Sequence, residues 1–186
     1  MLTRSPKPST TIYLDMDGVL CDFVSAAMAV FGHEYNPQTW PPRQWDIAPI
    51  VGVDTVTFWQ RINQLGEDFW TYLQPYPWVH DLVDAVSEFA RPIILTSPSR
   101  SPHCLSGKRQ WLINNGLGDL QAAYTPLKHH LAAPGRILID DSASNGRKFE
   151  EAGGEVILFP QPWNAMGVYT LDVVDYVRGH LEELTR

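Results

Sequence analysis

The chain has 186 residues, of which 44% are hydrophobic and 19% are charged, and its formal net charge at pH 7 is -7. These values predict one globular domain with a modest insertion and exclude a largely disordered chain. The acidic balance argues against wide contact with a nucleic-acid polymer, because phosphate backbones select basic surfaces. Cys21 and Cys104 have no zinc-ligand spacing, and we expect them to be reduced thiols of a cytoplasmic protein. Residues 1–9 lack the apolar run of a signal peptide, and no segment suggests a membrane span.

The first predicted strand, residues 12–14, ends in two aspartates, Asp15 and Asp17, which are followed by Gly18. Side chains at i and i+2 of an extended segment point the same way, so both carboxylates are expected to face one site. Gly18 lets the chain turn tightly away from that site. Two carboxylates in this arrangement attract a divalent cation, which in turn holds a phosphate. An ordinary turn after a strand is the alternative interpretation.

Helical and extended patterns alternate along the rest of the chain. Strands are predicted over 93–95, 122–124, 136–141 and 155–159, and helices over 22–31, 55–65, 67–73, 78–89, 104–115, 144–152 and 171–184. This alternation predicts an α/β fold with a doubly wound parallel sheet and helices on both of its faces. Residues 1–20 and 79–186 are assigned to the core, and residues 21–78 to a small helical cap inserted after the first strand. Within the cap, residues 33–52 lack periodicity and predict an ordered loop.

Polar side chains follow three further strands, in the order Thr96 and Ser97, then Lys128, then Asp140 and Asp141. Ligands of doubly wound sheets bind beyond the carboxyl ends of the strands, which is where all of these side chains fall. Each motif alone is common as a turn residue, a solvated lysine or a helix cap. The ordered set of four, which includes the two aspartates of the first strand, is far more specific.

Three other conspicuous pairs of residues receive structural interpretations. His103-Cys104 has no partners at metal-ligand spacing, and His129-His130 is expected to be a solvated loop pair. Lys108-Arg109 on a predicted helix is expected to be surface charge.

The four motifs together resemble those of the haloacid dehalogenase superfamily of phosphotransferases. The resemblance implies that Asp15 is the nucleophile and that Asp17 is the general acid and base. It also implies an Mg²⁺ cofactor, which the carboxylates of Asp15 and Asp140 and the backbone carbonyl of Asp17 would hold. Asp141 is expected to orient the groups or waters around that ion.

The remaining motif residues are expected to bind the phosphate. Lys128 would bring positive charge to the doubly anionic ester, which otherwise repels an attacking carboxylate. The Thr96 hydroxyl and the Ser97 backbone amide would hold the oxygens of the transferring group.

The predicted cap is rich in aromatic residues. Twelve of the chain's 21 aromatic residues lie between Phe23 and Trp78, including five of its seven tryptophans. Some of these rings would serve as packing, but so many beside a phosphate site suggest a surface on which a flat base stacks.

Several segments sharpen the resemblance to the 5'(3')-deoxyribonucleotidase family and together cover most of the chain from Thr11 to about Phe159. They are Asp15 to Phe23, Leu73 to Pro75, Leu95 to Pro98 with His103-Cys104 and Lys108 to Leu112 beyond it, and Leu138 to Asp141. This resemblance implies that the base contacts are Phe23, Phe58, Trp59, Phe69 and Trp70. The sequence departs from the family at Ser142, where some relatives carry Arg, and in the Pro-rich loop 36–49.

The predicted function is magnesium-dependent hydrolysis of (deoxy)ribonucleoside monophosphates through an aspartyl-phosphate intermediate. The expected partner is a small-molecule nucleotide, with no nucleic-acid polymer and no membrane, and the sequence leaves the choice between monomer and dimer open. A phosphatase for another small ester, such as a sugar phosphate or a polynucleotide end, is the first alternative. An inactive phosphate-binding module is the second.

Overall fold

The computed structural model of the protein describes residues 10–167 and 172–186. Five strands form one parallel sheet in the order β3-β2-β1-β4-β5, which confirms the predicted fold class. The strands are β1 Thr11–Leu14, β2 Ile93–Thr96, β3 Ala122–Tyr124, β4 Arg136–Asp140 and β5 Glu155–Leu158. The helices are α1 Phe23–Val30, α2 Thr55–Gln64, α3 Gly66–Thr71, α4 Val79–Ser87, α5 Pro102–Asn114, α6 Ala143–Glu151 and α7 Val173–Leu184, with a short 3₁₀ helix over Lys128–Leu131.

The predicted bounds differ from these only at the ends of the elements. The 3₁₀ helix that carries Lys128 was not expected from the sequence. The predicted terminal helix included residue 171, which lies outside the described residues, as do residues 1–9 with the predictions made for them.

Successive side chains of each strand point to opposite sides of the sheet, and each side is covered by an apolar cluster. Ile12 and Leu14 of β1 belong to a large apolar cluster that α4, α5 and α7 cover. Tyr13, between them, belongs to a smaller cluster with Phe149 of α6, whose ring centroid lies 6.1 Å from that of Tyr13. With its faces covered in this way, the sheet leaves the carboxyl ends of its strands as the place where a site can form.

Residues 21–78, for which the sequence predicts a cap, are called the cap segment below. They pack on α5 through α3. Gly107 of α5 makes this approach feasible, because a Cβ atom there would lie 2.6 Å from the Glu67 carbonyl oxygen and from Trp70 Cβ. The indole N–H of Trp111 in α5 donates a 2.7 Å hydrogen bond to the carbonyl of Leu73. The cap segment is thus held against the helix that follows the Thr96 strand end.

The irregular segment 33–52 is anchored by buried apolar side chains and not by regular structure. Trp40, Ile47 and Ala48 are buried in the large cluster, and the Trp40 indole donates to the carbonyl of Gln44. Within the described ranges, no helix combines the length and the apolar character needed to cross a membrane.

Candidate active site

The carboxyl ends of three adjacent strands bring most of the predicted site residues together. Asp15 follows β1 directly, Thr96 ends β2 and Asp140 ends β4, and β1 lies between β2 and β4 in the sheet. The backbone N–H of Asp15 donates to the carbonyl of Ile139 at 2.9 Å, so the ladder between β1 and β4 continues up to the acidic residues. Residues far apart in sequence therefore meet at one edge of the sheet.

The first half of the site is a buried acidic cluster with one lysine. Carboxylate oxygens of Asp15, Asp140 and Asp141 lie within 4.8 Å of one another. The ammonium group of Lys128 lies 2.7 Å from Asp15 Oδ1 and 2.7 Å from Asp140 Oδ2. All four side chains are buried, so the lysine partly balances charges that water does not reach.

Burial and charge shift the pKa values of this cluster. Burial, followed by the nearby charge of Asp140, raises the pKa of Asp15 to about 7, although Lys128 opposes the shift. The same two causes raise the pKa of Asp141 well above its usual range. Burial lowers the pKa of Lys128, but Asp15 and Asp140 outweigh that effect and raise it. Two of the three acids therefore hold protons more readily than a solvated carboxyl group does.

This cluster fits a hard divalent cation such as Mg²⁺, which prefers carboxylate and carbonyl oxygens as ligands. Asp141 Oδ1 is a buried oxygen with no hydrogen-bond partner among the described residues, which is the kind of atom that a bound ion satisfies. The Asp15 and Asp140 carboxylates adjoin it. These residues would hold the ion.

The second half of the site contains Asp17 and Thr96. Both contact Lys108, which the sequence predicts to be surface charge. Lys108 is fully buried, with 0% exposure, which corrects that prediction, whereas its neighbour Arg109 is exposed. Its ammonium group lies 2.5 Å from Asp17 Oδ2, 2.6 Å from Thr96 Oγ1 and 3.5 Å from the Ser97 carbonyl. Burial lowers the pKa of Lys108, but Asp17 and the neighbouring thiols outweigh that effect and raise it.

A helical pattern in the sequence carries a signal for this buried position. Cys104, Lys108, Trp111 and Leu112 lie on one face of α5 at intervals of three and four residues, and all four are buried. A lysine in the middle of an apolar stripe is therefore the feature that would have pointed to a buried partner.

Ser97 and Gly18 complete the turns beside the acidic side chains. The Ser97 hydroxyl donates to the Thr125 carbonyl at 3.3 Å, so its side chain is used within the protein and its predicted phosphate contact, a backbone amide, stays a prediction. Gly18 has a φ of 76°, and a Cβ atom there would lie 2.7 Å from Asp141 Cγ. The turn after Asp17 therefore needs glycine both for its conformation and for its closeness to the acidic cluster.

The predicted aromatic contacts form one cluster in the cap segment, but its members differ in exposure. Phe23 lies at its centre. Its ring centroid lies 5.9 Å from that of Trp59, 5.9 Å from that of Phe69 and 5.7 Å from that of Trp70. Phe23 and Phe69 are half-buried, and Trp59 is 37% exposed. These three rings are in a position to meet a ligand.

Phe58 and Trp70 do not offer a free ring face. They are only 3% and 1% exposed, because Phe58 stacks on Phe31 and Trp70 packs between Phe23 and Lys108. Their predicted contact with a base stays a prediction. Their place is to support the rings that are exposed.

The parallel sheet and the carboxylates at its strand ends define an α/β protein of the haloacid dehalogenase type. The family model described as "5' nucleotidase, deoxy (Pyrimidine), cytosolic type C protein" matches residues 9–173. The chain belongs to this family, which makes it an enzyme that hydrolyses phosphoric monoesters and confirms the predicted resemblance. A comparison with curated proteins found no match.

Solved structures show the same fold at low sequence identity. A HAD family hydrolase from Deinococcus radiodurans R1, with bound phosphate and sodium, is 17% identical; the match covers 96% of this chain and 97% of that one, with a TM-score of 0.61. A putative HAD-hydrolase from Bacillus subtilis, bound to magnesium, is 12% identical over 92% of this chain and 98% of that one, with a TM-score of 0.57. A haloacid dehalogenase-like hydrolase from Xanthomonas campestris is 16% identical over 95% and 98%, also with a TM-score of 0.57.

Proposed function

We propose that this enzyme hydrolyses nucleoside monophosphates, with pyrimidine deoxyribonucleotides as the favoured substrates, in a magnesium-dependent reaction through a phosphorylated Asp15. The observation that carries the proposal is that two buried lysines contact the acidic side chains of the site, beside a partly exposed aromatic cluster. Lys128 holds Asp15 and Asp140, and Lys108 holds Asp17 beside Thr96. The description of the family supports the choice of a pyrimidine deoxyribonucleotide.

In the first step, a carboxylate oxygen of Asp15 attacks phosphorus and the bond between phosphorus and the ester oxygen breaks. Asp17 donates a proton to that departing oxygen, so the nucleoside leaves as an alcohol. The short contacts of Lys128 with Asp15 hold the nucleophile in place, and this cation also offsets the negative charge of the phosphoryl group.

In the second step, Asp17 takes a proton from a water molecule whose oxygen attacks the phosphorylated Asp15 at phosphorus. The bond between phosphorus and the Asp15 oxygen breaks, which releases inorganic phosphate and restores the carboxylate. The Thr96 hydroxyl and the Ser97 amide hold the phosphoryl oxygens through both steps. Thr96 Oγ1 accepts from Lys108, which leaves the hydroxyl proton free to be donated to the substrate.

A bound Mg²⁺ ion supplies positive charge that stabilises the phosphoryl group during transfer. Asp15, Asp140, Asp141 and the backbone carbonyl of Asp17 would hold it. The unpartnered, buried Asp141 Oδ1 supports this assignment of the metal site.

We assign the recognition of the base to Phe23, Trp59 and Phe69, the three rings of the aromatic cluster that are not fully buried. A base stacked on such a ring gains ~1–3 kcal/mol, whereas a sugar phosphate has no flat face to offer. Cytoplasmic localisation is part of the same proposal, and the two buried free thiols, Cys21 and Cys104, support it.

The test compares dTMP, dUMP, UMP and ribose 5-phosphate as substrates of the wild type and of Phe23→Ala and Trp59→Ala. Each substitution is expected to lower kcat/KM for dTMP by about tenfold or more and to leave ribose 5-phosphate nearly unaffected. Tyr72→Ala is the matched control, because Tyr72 is a cap-segment aromatic residue with 69% exposure outside this cluster. Equal use of dTMP and ribose 5-phosphate by the wild type would overturn the nucleotide assignment.

A further inference from the structure

The loop after β5, residues 159–167, takes no part in the mechanism above, yet its polar side chains reach the acidic cluster. The indole N–H of Trp163 donates a 2.7 Å hydrogen bond to Asp141 Oδ2. The amide of Gln161 donates to the Gly18 carbonyl at 2.5 Å, in the turn that follows Asp17. The amide of Asn164 donates to the backbone carbonyls of Asp141 and Phe159, at 2.9 Å and 2.8 Å. Gln161, Trp163 and Asn164 are all buried.

Burial of these side chains is unusual for a connecting segment. Loops run over protein surfaces as a rule, and a buried polar group is costly unless it is hydrogen-bonded. Asn164 also fixes the loop itself, because its Oδ1 accepts from the backbone N–H groups of Met166 and Gln161. These hydrogen bonds fix the loop, and with it the position of the Trp163 indole.

The two carboxylate oxygens of Asp141 differ in their hydrogen bonding. Oδ2 accepts from the indole, while Oδ1 is buried without a partner among the described residues. A single N–H donor at fixed distance sets the orientation of the carboxylate and leaves its other oxygen available to a ligand. Partners of this kind orient metal-binding carboxylates, and their loss typically weakens metal binding ~10–100-fold.

A simpler interpretation is that Trp163 only fills space. Its ring centroid lies 6.1 Å from that of Trp40 and 6.3 Å from that of Tyr35, both in the cap segment. Any large apolar ring would satisfy that packing. The two interpretations therefore differ in the indole N–H alone, which phenylalanine lacks.

We propose that Trp163 is a positioning residue for the metal site, which acts by holding the Asp141 carboxylate through its indole N–H. The inference rests on the proposed function, because it assumes that the acidic cluster binds a divalent cation. Binding of the metal alone, measured without substrate, separates the two.

The experiment measures the Kd for Mn²⁺ by isothermal titration calorimetry on the folded wild type, Trp163→Phe and Trp40→Phe. Trp163→Phe is expected to weaken binding by about tenfold or more, and Trp40→Phe by less than about twofold. Trp40→Phe is the matched control, since Trp40 packs against Trp163 but its indole N–H donates to the Gln44 carbonyl and not to Asp141. The magnesium concentration for half-maximal activity should shift with the Kd in Trp163→Phe, while kcat at saturating magnesium stays near that of the wild type.

Asp141→Asn tests the residue through which Trp163 is proposed to act, because it removes the carboxylate charge that would bind the metal. If Trp163 acts through Asp141, the second substitution should add little to the first, so that the double variant binds Mn²⁺ about as weakly as Asp141→Asn. If Trp163→Phe folds poorly, Asp141→Asn must still weaken binding, and an unchanged Kd in that folded variant overturns the inference.

Each result decides between the possibilities. A Kd for Trp163→Phe within twofold of that of an active, Mn²⁺-binding wild type overturns the positioning role and leaves the proposed function intact. Fully additive losses in the double variant overturn it as well. Failure of the folded wild type to bind Mn²⁺ overturns the metal assignment in the proposed function and this inference with it.

Discussion

Replacement of Lys108 by methionine tests the half of the site that the structure revealed. Lys108 is fully buried and donates short hydrogen bonds to Asp17 Oδ2 and Thr96 Oγ1. Methionine has a similar length and favours helix, so α5 should persist while the positive charge disappears. The proposed acid and base, Asp17, then loses the partner that fixes its side chain, and Thr96 loses the donor that directs its hydroxyl proton toward the substrate.

The expected size of the effect follows from these two contacts. A hydrogen bond to a charged group contributes about 1.5–3 kcal/mol. The lower end applies here, because the Asp17 side chain is 27% exposed and water replaces part of the lost interaction. Two such losses raise the barrier by about 3 kcal/mol, which is on the order of 100-fold in kcat/KM for a nucleoside monophosphate.

The assay compares dTMP with para-nitrophenyl phosphate as substrates of the wild type, Lys108→Met and Lys148→Met. An aryl leaving group needs little help from a proton donor, so the loss should be smaller by about tenfold for the aryl ester if Lys108 acts through Asp17. Lys148→Met is the matched control, since it removes a lysine charge from an exposed position on α6.

Two results would refute this reasoning. Lys108→Met protein that is folded and keeps kcat/KM for dTMP within threefold of the wild type would make Lys108 a structural cation with no part in the reaction. Equal losses on both substrates would remove Asp17 from the explanation and leave only Thr96 or a general disturbance of the fold.

Three further predictions concern the acidic cluster. Asp15→Asn should abolish turnover and preserve the circular dichroism spectrum, because the amide keeps the shape but cannot attack phosphorus. Lys128→Ala should lower kcat by ~10²–10³-fold, the range for loss of one donor to a developing negative charge. In the absence of divalent cations, the free energy of unfolding measured with urea should be larger at pH 5.5 than at pH 8, by on the order of 1–2 kcal/mol. The pKa of Asp15 is about 7 when folded and about 3.9 when unfolded, so the stabilisation is complete below the unfolded value and is lost as the pH rises through 7.

Each of these predictions has an outcome that contradicts it. Activity of Asp15→Asn within tenfold of the wild type would remove Asp15 as nucleophile. Unchanged kcat in Lys128→Ala would mean that the cation contacting Asp15 and Asp140 has no role in transfer. The pH dependence of stability should shrink in Asp15→Asn, and an equal slope in the variant would assign the proton uptake to other groups.

The acidic strand ends were predictable from the sequence because a parallel sheet converts order along the chain into position in space. Asp15, Thr96 and Asp140 each follow a short apolar run, and the sheet places those runs side by side. The apolar stripe of α5 indicates that Lys108 is buried but does not identify its partner, and no comparable rule reaches Trp163. Lys108 meets Asp17 across 91 positions of sequence, and Trp163 reaches Asp141 from an irregular loop, so both contacts depend on tertiary packing.

The aromatic residues show the limit of composition as a guide. Their concentration in the cap segment was evident, but the sequence did not separate exposed rings from packed ones. Phe58 and Trp59 are neighbours on α2, but Phe58 is buried in a stack on Phe31, whereas Trp59 stacks on Phe23 and stays partly exposed. Whether a ring stacks on a ligand is decided by which helix face the fold leaves uncovered.

Charge balance connects the pH and metal predictions. Four carboxylates, those of Asp15, Asp17, Asp140 and Asp141, face two ammonium groups, those of Lys108 and Lys128, so full ionisation leaves two negative charges unbalanced. Without a cation, burial is the first cause of the raised pKa values of Asp15 and Asp141, and this excess of negative charge adds to it, so both acids take up protons more readily. A divalent cation carries the two positive charges that remove the same excess. Protons and metal must therefore compete for these carboxylates, so the affinity for Mg²⁺ should fall as the pH is lowered below about 7.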